Sequence, residues 1–481
     1  MKLSELSENR IATLLSFLFF MAFCYVSVKF KGTAGAGDST MHFLFSSYAF
    51  AHPENFLDHW AKPLFTLFSA PFAAMGFTVM KIFNSLVASI TAYTTYRIAK
   101  KMNLKYSLLA LLFVFSAPLY FRLIFSGLTE HFFALVLVVA VYLTMDEKYK
   151  SSAIIFSFLP FARSEGLVIL AVFVIYLIVK KKSKIIPWVF TGHIFYGILG
   201  LIFYHHDFLW IFKKIPYAHL SSVYGSGDIF HFFDQMTYVI GGHLYLLLVA
   251  GIIMMIISFF IKKLRNNREF YVEELWLIYG AFAAFFIAHS LFWYFGIFNS
   301  MGLKRVLIDV VPLIAIICLI ALDYLLQLPI LQEKHNRYYV LFLIIPSILY
   351  FPFSSNKAAI DWDKDLNLNE DQLFIEEVAK FVDDKYFGYK YFYDQSYLSI
   401  ALDVDHFNSK QHQNVKMLKF DEFLEEESLV IWNSFYSKFN GISYEMLEND
   451  LRFKNVKEFR FEKGNKLLRY VLFEYQGEKK E

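Results

Sequence analysis

Apolar segments long enough to cross a bilayer recur from Ile11 to about Phe353, the pattern of a polytopic α-helical membrane protein. Full spans are predicted near 11–29, 77–97, 106–125, 128–145, 185–205, 237–261, 273–296, 306–327 and 338–353. Residues 152–179 form a further apolar stretch, interrupted by Pro160, Arg163 and Glu165. It is too long for one span and too short for two. Two half-length helices meeting at a polar tip fit it, because irregular backbone at membrane depth is tolerated only beside protein or a wet cavity. This re-entrant pair brings the expectation to about eleven membrane segments. Of the 481 residues 57% are hydrophobic and 19% charged, and the charges fall mostly outside the apolar runs. A net charge of +3 argues against a nucleic-acid partner. Cys24 and Cys318 both lie inside apolar runs, which excludes a disulfide framework or a thiolate metal site built from them.

Topology follows from the basic residues of the short loops. Lys2 and Arg10, then Arg97, Lys100, Lys101 and Lys105, then Lys180, Lys181, Lys182 and Lys184, then Lys262, Lys263, Arg265 and Arg268 all fall on one side. That side is assigned to the cytoplasm of a plasma membrane, with the N-terminus inside. Lys2, Arg10 and Ala34-Gly35-Ala36 imitate a signal peptide, but the run from Ile11 to Val28 is long enough to span, and retention is expected. Three regions are then extracytoplasmic: the first outer loop 29–76, the loop from His205 to about Met236, and the tail from Ser354. The chain thus divides into a transmembrane module, 1–353, and a soluble extracytoplasmic α/β domain, 354–481. In the latter, Asn369–Lys385 reads as a helix, and Lys390–Asp394, Leu429–Asn433 and Leu468–Tyr475 as strands.

Ionisable residues at membrane depth are costly and usually line a pathway or a site. Those that qualify here gather toward the outer side. Asp38, in Gly37-Asp38-Ser39-Thr40, is a solvated loop carboxylate, the N-cap of a helix starting near Met41, or a general base able to take a proton from a hydroxyl. Glu130 and His131 open the fourth span at its outer end. Arg163 and Glu165, at the tip, either face a site or lock helices by pairing with Glu130 or each other. Arg305 breaks the positive-inside trend, as a residue binding a lipid phosphate would; an interfacial anchor is the alternative, and Lys62 after Trp60 has the same two readings. Asp309, one helical turn from Arg305, is expected to be its partner. His42, His52 and His59 share their loop with Asp38, Glu54 and Asp58, so a divalent cation is one reading and structural packing the other. His205, His206 and Asp207 are no more specific. No Gly-rich phosphate loop follows a predicted strand, and no internal repeat is evident.

Gly37-Asp38, Trp60-Ala61-Lys62-Pro63-Leu64, Ser126–Glu130 and Arg163-Ser164-Glu165-Gly166, in this order, resemble the GT-C class of membrane glycosyltransferases, in its protein-mannosyltransferase and aminoarabinose-transferase-like branch. The resemblance covers about residues 1–330. It implies a polyprenyl-phosphate sugar as donor and transfer with inversion to a hydroxyl of a protein, glycolipid or glycan at the extracytoplasmic face. Asp38 would be the catalytic base. Arg305, Lys62 and Arg163 would receive the leaving phosphate, and Glu130 and Glu165 would shape the site. Some relatives carry a second acidic residue beside the first; here Ser39 stands in that place, which weakens a metal assignment. A flippase or transporter of a lipid-linked or small polar solute is the main alternative and would need polar groups toward the cytoplasmic half. A scaffold presenting the tail to partners is the third.

Overall fold

The computed structural model describes residues 3–215, 224–261, 268–327, 358–419, 423–463 and 466–477, with scattered positions between 338 and 354. The basic cluster Lys262, Lys263 and Arg265 lies outside the described residues; the predicted span 338–353 lies partly within them, and its described positions are helical and end in a 3₁₀ turn, Phe351–Phe353.

The bundle opens with α1 (Leu3–Lys29), followed by α2 (Ala36–Ser47) and α3 (Pro63–Ala73) in the loop 29–76, which the sequence assigns to the outer side. Then come α4 (Phe77–Lys101), α5 (Leu108–Ser116), α6 (Pro118–Leu123), α7 (Glu130–Met145), α8 (Tyr149–Ala162) and α9 (Gly166–Val179). The half-length pair is therefore present: α8 and α9 have 14 residues each, about 21 Å, and meet at residues 163–165. Gly166 is required there, since a β-carbon on it would lie 2.6 Å from the Leu159 carbonyl carbon.

Two predicted spans are corrected. The segment 106–125 is not one helix: Pro118 cannot donate to the preceding turn, and it ends α5 and begins α6. The segment 237–261 starts earlier and is broken, as α12 (His231–Ile240) and α13 (Gly242–Phe260) on either side of Gly241, whose φ is 80°. Between α9 and α12 lie α10 (Thr191–Ile202), entered through a 3₁₀ segment, and the single turn α11 (Trp210–Lys213). The bundle is completed by α14 (Tyr271–Phe295), which contains a π-helical stretch Glu274–Gly280, and α15 (Lys304–Leu325), which opens as a 3₁₀ turn. Among the described residues, five helices are each long and apolar enough to cross a membrane alone: Ser7–Lys29, Ser183–Ile202, Gly242–Phe260, Tyr271–Phe295 and Lys304–Leu325. α15 is the central one, with Val310 to Leu322 all buried, while α1 carries Leu14, Phe17, Leu18 and Met21 exposed on its outer surface.

Ala358 and Ile360 still pack in the bundle core, beside Trp362 and Leu366. Beyond them, α16 (Glu370–Tyr386) begins with a capping box between Asn369 and Gln372. It covers one face of a five-stranded mixed sheet formed by β1 (Lys390–Phe392), β2 (His412–Gln413), β3 (Ser428–Asn433), β4 (Phe453–Lys463) and β5 (Lys466–Tyr475), in the order β2-β1-β3-β5-β4. β1 pairs in parallel with β2 and β3, and β3-β5-β4 is antiparallel. Separate apolar clusters fill the two faces, with Val378, Tyr393 and Leu472 on the α16 side and Trp432, Val471 and Phe473 on the other.

Candidate functional site

The first outer loop, the start of α7, the 163–165 tip and the start of α15 meet at one end of the bundle. The contact that builds this end is a close fit of the Ser126–Leu128 turn against α2. Asn84 in α4 donates to the carbonyls of Ser126 and Leu128, at 2.6 and 3.2 Å. Gly127 lies so near α2 that a β-carbon on it would stand 2.4 Å from the Ser39 carbonyl oxygen. The buried Ser39 hydroxyl donates to the Thr33 carbonyl and accepts from the Gly127 amide at 2.7 Å. The position beside Asp38 is thus spent on joining α2 to α7. Asp38 itself is not an N-cap near Met41: α2 begins at Ala36, and the aspartate stands in its first turn, where the helix dipole favours a negative charge.

From Asp38 a chain of ion pairs runs inward. Arg305 bridges Asp38 and Glu130, with Nη2 on Oδ2 of Asp38 and Nε 3.1 Å from Oε1 of Glu130. Its Nη1 also donates to the Gly35 carbonyl at 3.3 Å. Arg163 reaches the same Glu130 oxygen at 2.8 Å, Glu165 at 3.0 Å and Asp309 at 3.1 Å. Glu130 and Asp309 are wholly buried, while the Asp38 side chain is 44% exposed, so the chain opens at the Asp38–Arg305 end. The expected pairing of Asp309 with Arg305 is corrected. Residues 304–310 form a 3₁₀ turn, in which positions four apart do not stack, and Asp309 is turned to Arg163.

Lys62 approaches from the first outer loop. Asp58 accepts from the Ala61 amide at 2.9 Å, Lys62 takes a left-handed backbone (φ 65°), and Pro63 starts α3. A lysine held at positive φ is uncommon and strained, which points to a functional demand. The turn buries its ammonium within range of Glu165, Arg163, Glu130 and Asp58; burial, opposed by Glu165, brings its pKa down to about 8. At Asp38, burial pushes the carboxyl up, but the charge and hydrogen bond of Arg305 outweigh it and hold the group below its usual range.

His42, one turn beyond Asp38, is buried and stacks on Trp60 with centroids 4.6 Å apart. It lies in the fields of Asp38, Lys62, Glu130 and Arg305, and burial keeps it neutral, with a pKa of about 3. His52 bonds to Asp405, and His59 is also kept neutral by burial. The three histidines do not converge. Among the described residues no group of three His, Cys, Asp or Glu could hold a metal ion; Asp38 is tied to Arg305, Asp58 accepts from the Ala61 amide and Glu54 lies 3.5 Å from His52. The residues do not fit a divalent cation. His131 turns away from the ion pairs, with Nε2 2.9 Å from the Tyr120 carbonyl oxygen. His289 in α14 was not legible as a site residue, being one histidine in an apolar run; it is buried within electrostatic range of Glu165 and Arg163. His205 stacks on Trp210 and bonds to the Leu57 carbonyl, and with Asp58, His59, Trp60 and Lys214 lines a cavity of about 110 Å³ beside this loop.

No protein-family model and no curated protein sequence matches the chain. In fold it is similar to ArnT from Cupriavidus metallidurans. The crystal structure of ArnT bound to undecaprenyl phosphate aligns with a TM-score of 0.63 and 12% identity, over 95% of this chain and 97% of that one. The apo crystal structure aligns with a TM-score of 0.63 and 11% identity, over 96% and 98%. The architecture is that of a GT-C fold carrying a small C-terminal sheet, as the ordered motifs led us to expect.

Proposed function

We propose that the chain is a membrane glycosyltransferase that moves a sugar from a polyprenyl-phosphate donor to an acceptor hydroxyl at the extracytoplasmic face. The observation that carries this reading is the Asp38–Arg305 pair, a carboxylate and a guanidinium side by side at the open end of an otherwise buried ion-pair chain. Such transfer needs one group to take a proton and another to receive a phosphate anion. ArnT, of like fold, is bound to undecaprenyl phosphate in its crystal structure, which supports a polyprenyl phosphate as the carrier.

In the resting site Arg305 is occupied by Asp38. An arriving donor phosphate competes for the guanidinium, and Lys62 supplies a second cation. Released from its partner, the Asp38 carboxylate becomes more basic as the acceptor arrives. It takes the proton of the acceptor hydroxyl while that oxygen bonds to the anomeric carbon on the face opposite the phosphate. The bond from the anomeric carbon to the phosphate oxygen breaks, its electron pair leaves with the lipid phosphate, and configuration inverts. Glu130, fixed by Arg163, holds Arg305 in line throughout.

A transporter reading draws on a second buried charged network at the opposite end, around Glu273 and Glu274. Between the ends, α15 offers only apolar side chains from Val310 to Leu322. Transfer from a panel of radiolabelled polyprenyl-phosphate sugars, in membranes holding wild type or Asp38→Asn, separates the readings. The enzyme reading requires transfer by wild type and its loss in the variant. Movement of the labelled lipid between leaflets with no sugar transferred would establish the transporter.

A further inference from the structure

The C-terminal domain is fixed along α2, from the residues before its start to the loop beyond its end, by several independent contacts. Phe407 packs on Phe45 at 4.8 Å and against Tyr48 and His52. His52 bonds to Asp405 at 2.8 Å, the Tyr48 hydroxyl donates to the Val404 carbonyl, and Gln372 donates to Thr33 at 3.0 Å. Above Gly37 two hydroxyls converge: a β-carbon built on that glycine would lie 4.0 Å from both Ser396 Oγ and Tyr436 Oη. Tyr436 is held there by a turn pinned several times over. Asn433 Oδ1 accepts from the amides of Phe435 and Tyr436 at 2.8 and 2.9 Å, and Ser437 accepts from the Asn433 amide at 3.0 Å. The Ser434 amide donates to the Arg469 carbonyl, and its hydroxyl accepts from the Arg469 amide, at 3.0 Å each. Gln395, next to Ser396, has its side chain within interaction range of the Tyr436 hydroxyl and of the buried Tyr470 hydroxyl. Tyr436 belongs to neither apolar cluster of the sheet among the described residues.

We propose that Tyr436, Gln395 and Ser396 form the acceptor subsite, and that it takes a neutral sugar whose hydroxyl is delivered to Asp38. This rests on the glycosyltransferase reading above. A phenol, an amide and a hydroxyl can each donate and accept, which matches the alternating needs of a polyol. The exposed Phe435 ring stands edge-on to Tyr436 at 4.9 Å and adds an apolar surface for a sugar's C–H face. The charged groups whose fields reach Tyr436 are acidic, Asp38 and Asp371; burial first, and then Asp38, push its phenol up, so it stays a neutral donor. An anionic acceptor would meet like charge there.

The test uses the full-length protein in lipid nanodiscs with whichever polyprenyl-phosphate sugar the panel identifies as donor. Octyl β-glucoside, its 6-phosphate and a serine-containing peptide serve as acceptors. Wild type is expected to use the glucoside at least about tenfold better than the phosphate, because unpaired like charges are strongly rejected. Tyr436→Phe, which keeps the ring, should raise the KM for the glucoside about fivefold and change the donor KM less than that. Gln395→Ala should act in the same direction. An unchanged acceptor KM in Tyr436→Phe, or an effect on the donor KM instead, overturns the subsite. Preference of wild type for the phosphate or the peptide overturns the acceptor class, whether or not the variants fold. Absence of transfer from every donor to every acceptor would strike the function itself.

Discussion

The molecule carries two buried charged networks, one at each end of its bundle, and they are built differently. At the end defined by Lys100, Lys101 and Lys180 the ion pairs are separate, each carboxylate meeting cations that it shares with no other. Lys180 pairs with Glu273 at 2.8 Å with Tyr176 donating to the same glutamate, and Arg268 pairs with Glu274 at 2.8 Å beneath the Tyr324 ring. Lys100 meets Glu8 and Lys101 meets Asp146 in the same manner. At the other end two arginines are shared among four carboxylates, and the last member, Asp38, is half exposed. Closed pairs lock helices together. A shared, open chain can exchange a partner for a ligand, and only there is a substrate phosphate able to enter without leaving a buried charge bare.

The widest separation between the two networks should come from Asp38→Asn. Sugar transfer is expected to fall by about 10²–10⁴, the usual worth of a positioned base, with thermal stability nearly unchanged because the residue is half exposed. Arg163→Met acts on stability instead. It strips Glu130, Glu165 and Asp309 of their common cation, and a loss of about 3–5 kcal/mol in a denaturation assay is expected. A smaller and pH-dependent effect concerns Lys62. Below its pKa of about 8 the ammonium is charged and can receive a phosphate; as pH rises through that value the charge is lost and donor binding should weaken. Lys62→Arg should move that limb to higher pH, and an unshifted limb would assign it to another group. The least effect is predicted at the opposite end. Replacing Arg268 and Glu274 together by Met and Leu should leave stability unchanged or somewhat raised and leave transfer intact. Abolished transfer there would erase the distinction between the networks.

Much of this arrangement could be read from the chain alone, because ionisable residues in apolar surroundings announce themselves. Glu130, Arg163 and Glu165 stand out for that reason, Arg305 because it breaks the positive-inside trend and Asp38 chiefly through the family resemblance, and all five join one chain of contacts. The pairings themselves were less legible. Helical spacing assigned Asp309 to Arg305, but a 3₁₀ turn redirected it. For His42 the sequence leaves a ligand and a packing role open, and the structure stacks its buried ring on Trp60. The strand β4 escaped notice because its outward face is charged and a bulge between Asn455 and Lys457 interrupts the alternation. Tyr436 lies some four hundred residues from the loop it covers, and only tertiary structure brings it there.

The exchange of Arg305 between Asp38 and a lipid phosphate can be measured directly, by equilibrium binding of undecaprenyl phosphate to wild type and Asp38→Asn in nanodiscs. Removing the competing carboxylate should tighten binding while sugar transfer collapses in the same preparation. Binding that is unchanged or weaker in Asp38→Asn, or transfer that survives the substitution, would contradict the account.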